Sequence, residues 1–105
     1  MSASDEQLQE VVRRIVEAAH PIRIILFGST ARGEAGPVSD VDVLVVVPDG
    51  THRLDTAENV YLNLHGFRVD VDVVVATESD IAKYKDSPGL VYREAVREGR
   101  TLYAA

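Results

Sequence analysis

Two pairs of aspartates carry the chemistry that this sequence suggests, because each pair lies in a segment that otherwise predicts a β-strand. Asp40 and Asp42 are separated by one valine at the start of an apolar run, and so are Asp70 and Asp72. Aspartate is depleted in strands, and residues i and i+2 of a strand point to the same face. Each Asp-Val-Asp therefore predicts two carboxylates side by side at the mouth of a strand.

Carboxylates crowded in this way repel one another and lose hydration, so either their pKa values rise or a cation compensates them. Mg²⁺ is the simplest such cation, because it takes hard oxygen ligands, one or two carboxylates together with substrate phosphates. In the alternative interpretation, Asp40 only caps a turn after Ser39 and the other carboxylates are solvated at a strand edge. Either Asp-Val-Asp segment, taken alone, leaves both interpretations open.

A glycine-containing turn precedes the first aspartate pair. The segment FGSTARG, residues 27–33, follows a predicted strand, and we expect it to open a short helix. Exposed backbone N–H groups and a helix N-terminus attract phosphate, Ser29 adds a hydroxyl donor, and Arg32 can reach a phosphate oxygen. A Gly-Ser pair alone is usually only a turn, but Asp40 follows Gly28 by twelve residues. The two features together predict phosphate donors and metal ligands at adjacent strand ends.

The hydrophobic pattern predicts the elements that position these residues. A helix opens with a Ser4–Gln7 capping box and closes at Pro21, and strands are predicted at 22–27, 41–47 and 67–76. A second amphipathic helix carries an apolar stripe of Leu54, Ala57, Val60, Tyr61 and Leu64. A short helical turn from residue 77, a helix at 90–98 and an edge strand at 101–103 complete the chain. This order predicts an α/β or α+β fold, in which a small mixed sheet is flanked by helices.

Size and composition limit the function. With 105 residues, 46% hydrophobic and 27% charged, we expect one soluble domain spanning 1–105. The absence of cysteine excludes disulfides and a cysteine nucleophile. No apolar run approaches the roughly 18 residues of a membrane span, so we expect no membrane partner and a cytoplasmic location. The net charge of −6, without a Lys/Arg cluster, argues against a long nucleic acid but allows a nucleoside triphosphate bound with metal.

The stretch GSTARGEAGPVSDVDVLVVV resembles the signature of the DNA polymerase β-like nucleotidyltransferase superfamily, a Gly-Ser pair followed by Asp-x-Asp and later by a third Asp. The short chain and the segments GFRVDVDVVVATESD and YKDSPGLVYREAVREGRTLY are similar to minimal nucleotidyltransferases of prokaryotic HEPN–MNT toxin–antitoxin pairs. The resemblance covers nearly the whole chain. It implies the nucleotidyltransferase fold, which is like the palm of polymerase β.

The resemblance also implies roles for the residues that match the motif. Gly28 and Ser29 match the phosphate-binding pair, and Asp40 and Asp42 match two metal ligands. Arg32 matches a common arginine whose role in the family is less fixed, so that a solvated arginine remains the alternative.

The third carboxylate has two candidates. Asp72 is the one that the resemblance implies as catalytic and metal-binding, because it keeps the usual spacing to Thr77. Asp70 shares its predicted face, and a register error of two residues would exchange the two.

The implied reaction is an in-line attack of an acceptor hydroxyl on the α-phosphorus of ATP, with release of pyrophosphate. Two Mg²⁺ ions about 3.5–4 Å apart would stabilise the attacking and leaving oxygens. The implied partner is a HEPN ribonuclease toxin, and the implied acceptor is a tyrosine hydroxyl near its active site. A small hydroxylated acceptor and an antitoxin that acts by contact alone are the alternatives. The choice of nucleotide and the oligomeric state stay open.

Overall fold

The fold is a four-stranded sheet with helices on both of its faces. The computed structural model of the protein describes residues 4–28, 41–88 and 90–105. Within these ranges the elements in chain order are α1 (Asp5–Ala19), β1 (Arg23–Phe27), β2 (Val41–Val47), α2 (Arg53–Leu64), β3 (Val71–Thr77), α3 (Glu78–Tyr84), α4 (Val91–Glu98) and β4 (Arg100–Ala104). The turn and short helix predicted after Gly28 lie outside the described residues from position 29 onward.

The sheet is mixed, as the sequence predicts. Its strand order is β3-β2-β1-β4. β1 runs antiparallel to both β2 and β4, whereas β2 and β3 are parallel and are joined through α2. The strands β1 and β2 are therefore central, and β3 and β4 form the two edges.

The hydrophobic core has two parts, one on each face of the sheet. Alternate residues of a strand point to opposite faces, so β1 and β2 contribute to both parts, and each fully buried valine, leucine or isoleucine contributes roughly 1.5–3 kcal/mol. The part under α1 and α2 contains Leu8, Val11, Ile15, Ile24, Leu26, Val41, Val43, Val45, Val47, Val60 and Leu64. The part under α3 and α4 contains Ile25, Phe27, Leu44, Val46, Ala76, Ile81 and Ala95.

The first helix begins where the sequence predicts. The Ser4 side chain accepts a hydrogen bond from the Gln7 backbone N–H at 3.1 Å, and the Gln7 side chain accepts one from the Ser4 N–H at 2.9 Å. One turn later, hydrogen bonds from Arg13 and Arg14 lower the pKa of Glu10 to about 2. The capping box and the ion pairs thus stabilise both the start and the exposed face of α1.

The third strand starts later than predicted. The alternation of apolar residues suggested a strand from residue 67, but β3 begins at Val71. Phe67 and Val69 nevertheless pack against the core. The alternation of apolar residues predicts which side chains are buried, but it does not show where strand pairing begins. Here the backbone bends before it pairs with β2.

The apolar stripe predicted for α2 is wrong at two positions. Leu54 is 73% exposed and Tyr61 is 47% exposed, while the buried face consists of Thr56, Val60 and Leu64. The Thr56 hydroxyl donates to the backbone carbonyl four residues earlier at 2.9 Å. Because its hydroxyl is satisfied within the helix, a threonine can take a core-facing position.

The carboxyl ends of β2 and β3 are connected by polar contacts. Thr77 caps α3, and the Asp80 side chain accepts from the Thr77 N–H at 3.1 Å and pairs with Arg53 of α2 at 2.9 Å. These contacts, the Thr77 backbone bond first, hold the pKa of Asp80 below its usual range. The Ser79 hydroxyl and backbone N–H likewise lower the pKa of Asp49.

Candidate active site

Three of the residues singled out in the sequence come together at one end of the sheet, where β1 ends and β2 and β3 begin. β1 is antiparallel to β2, and β2 is parallel to β3, so the carboxyl end of β1 lies beside the amino ends of β2 and β3. The register pairs Phe27 with Asp42, and Asp42 with Asp72. Asp42 and Asp72 thus lie on neighbouring strands, and Gly28 directly follows the next strand, at the same end of the sheet.

Asp42 and Asp72 lie level with each other on neighbouring strands, which are about 4.8 Å apart in a sheet. By strand alternation both residues point to the face that α3 and α4 cover, because they share their parity with Leu44 and Val74. Asp42 is half-buried and Asp72 is exposed. The structure therefore places a partly desolvated carboxylate beside one that is open to solvent.

Gly28 lies directly against the Asp42 carboxylate. Its φ angle is +77°, a conformation that side chains rarely adopt. A Cβ atom built on Gly28 would also lie only 2.5 Å from Oδ2 of Asp42. Both the backbone conformation and the close approach therefore require glycine here, and the first residue of the predicted phosphate-binding turn touches a predicted metal ligand.

Asp70 occupies a different place from Asp72. It is exposed and lies one residue before β3, where its backbone carbonyl accepts a hydrogen bond from the Val41 N–H at 2.9 Å. Its backbone therefore extends the pairing of β2 with β3. Since Asp72 and not Asp70 is the partner of Asp42, the register favours Asp72 as the carboxylate that completes the site.

The other predicted site residues, Ser29, Arg32 and Asp40, lie outside the described part of the chain. Within the described part, no group of three His, Cys, Asp or Glu side chains could hold a metal ion. Asp42 and Asp72 nevertheless fit the donor set of Mg²⁺, which is bound through one or two carboxylates plus substrate phosphates and retains several waters.

The structure adds a neighbour of the site that sequence reasoning missed. The Val73 backbone N–H, one residue after Asp72, donates to the Tyr61 hydroxyl of α2 at 2.9 Å. Beside this contact lies a cleft of about 410 Å³, lined by Tyr61, Leu64, Gly66, Phe67, Val69, Asp70, Val71 and Asp72. The helical pattern assigned Tyr61 to packing, because periodicity does not show that a hydroxyl reaches a strand edge.

No helix in the described ranges is long and apolar enough to cross a membrane.

The family model of the nucleotidyltransferase domain matches residues 6–101. A candidate nucleotidyltransferase from Sulfolobus solfataricus has a TM-score of 0.65 at 20% identity, over 94% of this chain and 78% of the other. A toxin–antitoxin complex solved with AMP-PNP has a TM-score of 0.63 at 20% identity, over 92% and 73%. A candidate minimal nucleotidyltransferase has a TM-score of 0.60 at 27% identity, over 90% and 88%. No curated protein matches the chain.

Proposed function

We propose, because the chain belongs to the nucleotidyltransferase domain family, that it transfers AMP from ATP to a hydroxyl acceptor in a Mg²⁺-dependent reaction. The acceptor in this proposal is a tyrosine of a partner HEPN toxin, so that the protein acts as an antitoxin. The observation that carries the proposal is the register of Asp42 with Asp72, with the Gly28 backbone held against Asp42.

Each residue of the candidate site has its own role in the proposed reaction. Asp42 and Asp72, together with Asp40, hold the metals, while the backbone at Gly28 and the side chain of Ser29 bind the β- and γ-phosphates. Two Mg²⁺ ions, when bound, stabilise the attacking and leaving oxygens of an in-line displacement. Arg32 adds a cation for the leaving group.

In this proposal Asp72 faces the acceptor, which is supported by the position of β3 as the edge strand and of Gly28 on the other side of Asp42. Its carboxylate accepts the proton of the acceptor hydroxyl as the acceptor oxygen forms a bond to the α-phosphorus. The bond between the α-phosphorus and the bridging oxygen breaks, and pyrophosphate leaves. The products are pyrophosphate and an acceptor that carries AMP on its oxygen.

Two observations support a protein acceptor. The structural likeness to a toxin–antitoxin complex with AMP-PNP favours a toxin partner and an adenine nucleotide. The net charge of −6 suits a neutral or basic protein surface better than a nucleic acid strand, which would be repelled.

The test uses the two neighbouring aspartates as a matched pair. The protein is co-expressed with the product of the adjacent gene and incubated with ATP labelled at the α-phosphate. Asp72→Asn should abolish label transfer to the partner without dissociating the complex, because it removes the carboxylate level with Asp42. Asp70→Asn should reduce transfer only modestly.

Transfer at the wild-type rate by both variants would refute the assignment of the third carboxylate. If the wild-type protein silences its toxin but transfers no label, the protein acts by contact, which is the alternative function. A label that appears on a small hydroxylated compound rather than on the partner would identify the other alternative.

A further inference from the structure

The peptide bond that follows Asp72 is held from both sides of β3. The Val41 N–H of β2 donates to the Asp70 carbonyl at 2.9 Å, so the backbone groups of Asp70 face β2. Successive residues of a strand direct their backbone groups to opposite sides. Those of Asp72 therefore also face β2, whereas those of Val73 face away from the sheet, because β3 is an edge strand. There the Val73 N–H donates to the Tyr61 hydroxyl of α2 at 2.9 Å.

The Tyr61 hydroxyl contacts the backbone of β3 from the face opposite to the Asp72 carboxylate. By strand alternation the Asp72 side chain points to the face that α3 and α4 cover, the face of Val74. α2 packs on the other face, where Val60 and Leu64 belong to the core. Tyr61 therefore acts on the Asp72 carboxylate through the Asp72–Val73 peptide.

α2 is firmly fixed around Tyr61, whereas the start of β3 is not. Val60, the residue before Tyr61, is completely buried, and the Asn63 side chain donates to the Arg14 backbone carbonyl of α1 at 2.7 Å. Asp72 is only the second residue of β3, which pairs with another strand on one side alone, and the ends of elements open most easily. The bond to Tyr61 thus connects a weakly supported strand end to a well-packed helix.

We infer that Tyr61 is a positioning residue of the candidate active site, whose hydroxyl keeps Asp72 level with Asp42 by fixing the Asp72–Val73 peptide. The inference rests on the proposed function, in which both carboxylates hold metal. Mg²⁺ demands near-ideal octahedral geometry, so carboxylates on two different strands bind it well only if the strands keep their relative position. Tyr61 therefore affects the Mg²⁺ requirement without touching metal or substrate.

Tyr61→Phe removes the hydroxyl and keeps the ring. The Val73 N–H lies at an exposed edge, where water replaces the phenol, so the free energy of unfolding should stay close to that of the wild type. Tyr103→Phe is the matched control. It makes the same change on β4, the opposite edge strand, where Tyr103 pairs with Ile24 near the start of β1 and not with the end that leads to Gly28.

Amide hydrogen exchange of the ¹⁵N-labelled protein tests the contact. We expect the Val73 amide to exchange roughly 10-fold faster in Tyr61→Phe than in the wild type and in Tyr103→Phe. The Thr77 N–H is an internal reference, because it donates to the Asp80 side chain, which both substitutions leave in place. An unchanged Val73 exchange rate in Tyr61→Phe would overturn the inference, because the hydroxyl would then not hold the peptide.

A Mg²⁺ titration tests the consequence for the site. The signal of the Asp72 carboxyl carbon is followed while Mg²⁺ is added with an ATP analogue that carries a methylene group between the α- and β-phosphorus. Removal of groups that orient metal ligands costs about 10-fold or more in metal affinity or activity. We expect a midpoint about 10-fold higher in Tyr61→Phe than in the wild type and Tyr103→Phe. With ATP, kcat for label transfer should fall similarly while KM for ATP stays unchanged, because the phosphate-binding turn is intact.

Equal Mg²⁺ midpoints in the three proteins, or an Asp72 signal that does not respond to Mg²⁺, would overturn the positioning role. If the wild type transfers label but the midpoints are equal, the proposed function stands and the inference fails. If the midpoints differ as expected but the wild type transfers no label, the proposed function fails and the role of Tyr61 stands.

Discussion

The contact between Gly28 and Asp42 leads to a prediction in which the effect of a substitution on stability can be distinguished from its effect on nucleotidyl transfer. In Gly28→Ala the new Cβ atom would lie 2.5 Å from the Asp42 Oδ2, whereas real Cβ contacts are essentially never shorter than 3.0 Å. The carboxylate must therefore move by at least 0.5 Å, the difference of these two distances. The left-handed backbone adds roughly 1–2 kcal/mol of strain.

Gly50→Ala is the control for the strain. Its φ angle is +90°, and its Cβ atom meets nothing within 4 Å, so it has the strain but not the contact. We expect Gly50→Ala to lose about 1–2 kcal/mol of the free energy of unfolding, and Gly28→Ala to lose at least as much. Nucleotidyl transfer should differ between them, because a displacement of about 1 Å in an active site costs on the order of 10²-fold in rate.

Urea denaturation gives the free energy of unfolding of both variants, and label transfer from ATP gives their rates. We expect a 10- to 100-fold lower rate in Gly28→Ala, roughly 1.4–2.7 kcal/mol of transition-state stabilisation, and a near wild-type rate in Gly50→Ala. Equal rates in the two variants would show that the position of the Asp42 carboxylate does not matter for transfer. The reasoning from the close contact would then be wrong.

Three further predictions concern charge. Calorimetry should show that ATP binds weakly without Mg²⁺ and much more tightly with it, because carboxylates at the sheet edge repel a bare triphosphate; equal affinities would refute the metal-dependent site. Asp42→Asn, like Asp40→Asn, should keep or raise the melting temperature while transfer falls by orders of magnitude, since active sites trade stability for function; a sharply lower melting temperature would indicate a structural role. The pKa of Asp80 is lowered in the fold, so its stabilisation is present above the ordinary aspartate pKa of about 3.9 and is lost as the pH falls below it. Asp80→Asn should flatten the acid limb of a pH–stability curve, and an unchanged limb would mean that the contacts with Thr77 and Arg53 contribute little.

Much of the architecture could be predicted because its signals are local. The capping box of α1 involves residues three apart, and the apolar run of β2 predicts Val41–Val47 with the bounds that the structure has. The orientation of α2 could not be predicted in the same way. Its pattern contains apolar residues over most of the helix surface, and only packing against the sheet decides that Thr56 faces inward and Leu54 outward.

The candidate site shows the same division between local and tertiary information. Residue types and spacing are enough to suggest Gly28, Asp42 and the Asp70–Asp72 pair. They do not distinguish Asp72 from Asp70, because positions i and i+2 share a face and the choice depends on the register between two strands. That register is a tertiary property, and so is the reach of Tyr61 to the edge of β3.

The hydrogen bond between Tyr61 and Val73 affects how another chain can bind to the edge of the sheet. An edge strand with unpaired N–H groups can form backbone hydrogen bonds with a strand of another chain. Because the phenol of Tyr61 already accepts the Val73 N–H, a foreign strand would have to displace a helix side chain before it could extend the ladder. The Tyr61 side chain thus occupies one of the N–H groups through which another strand would pair with β3, next to Asp72.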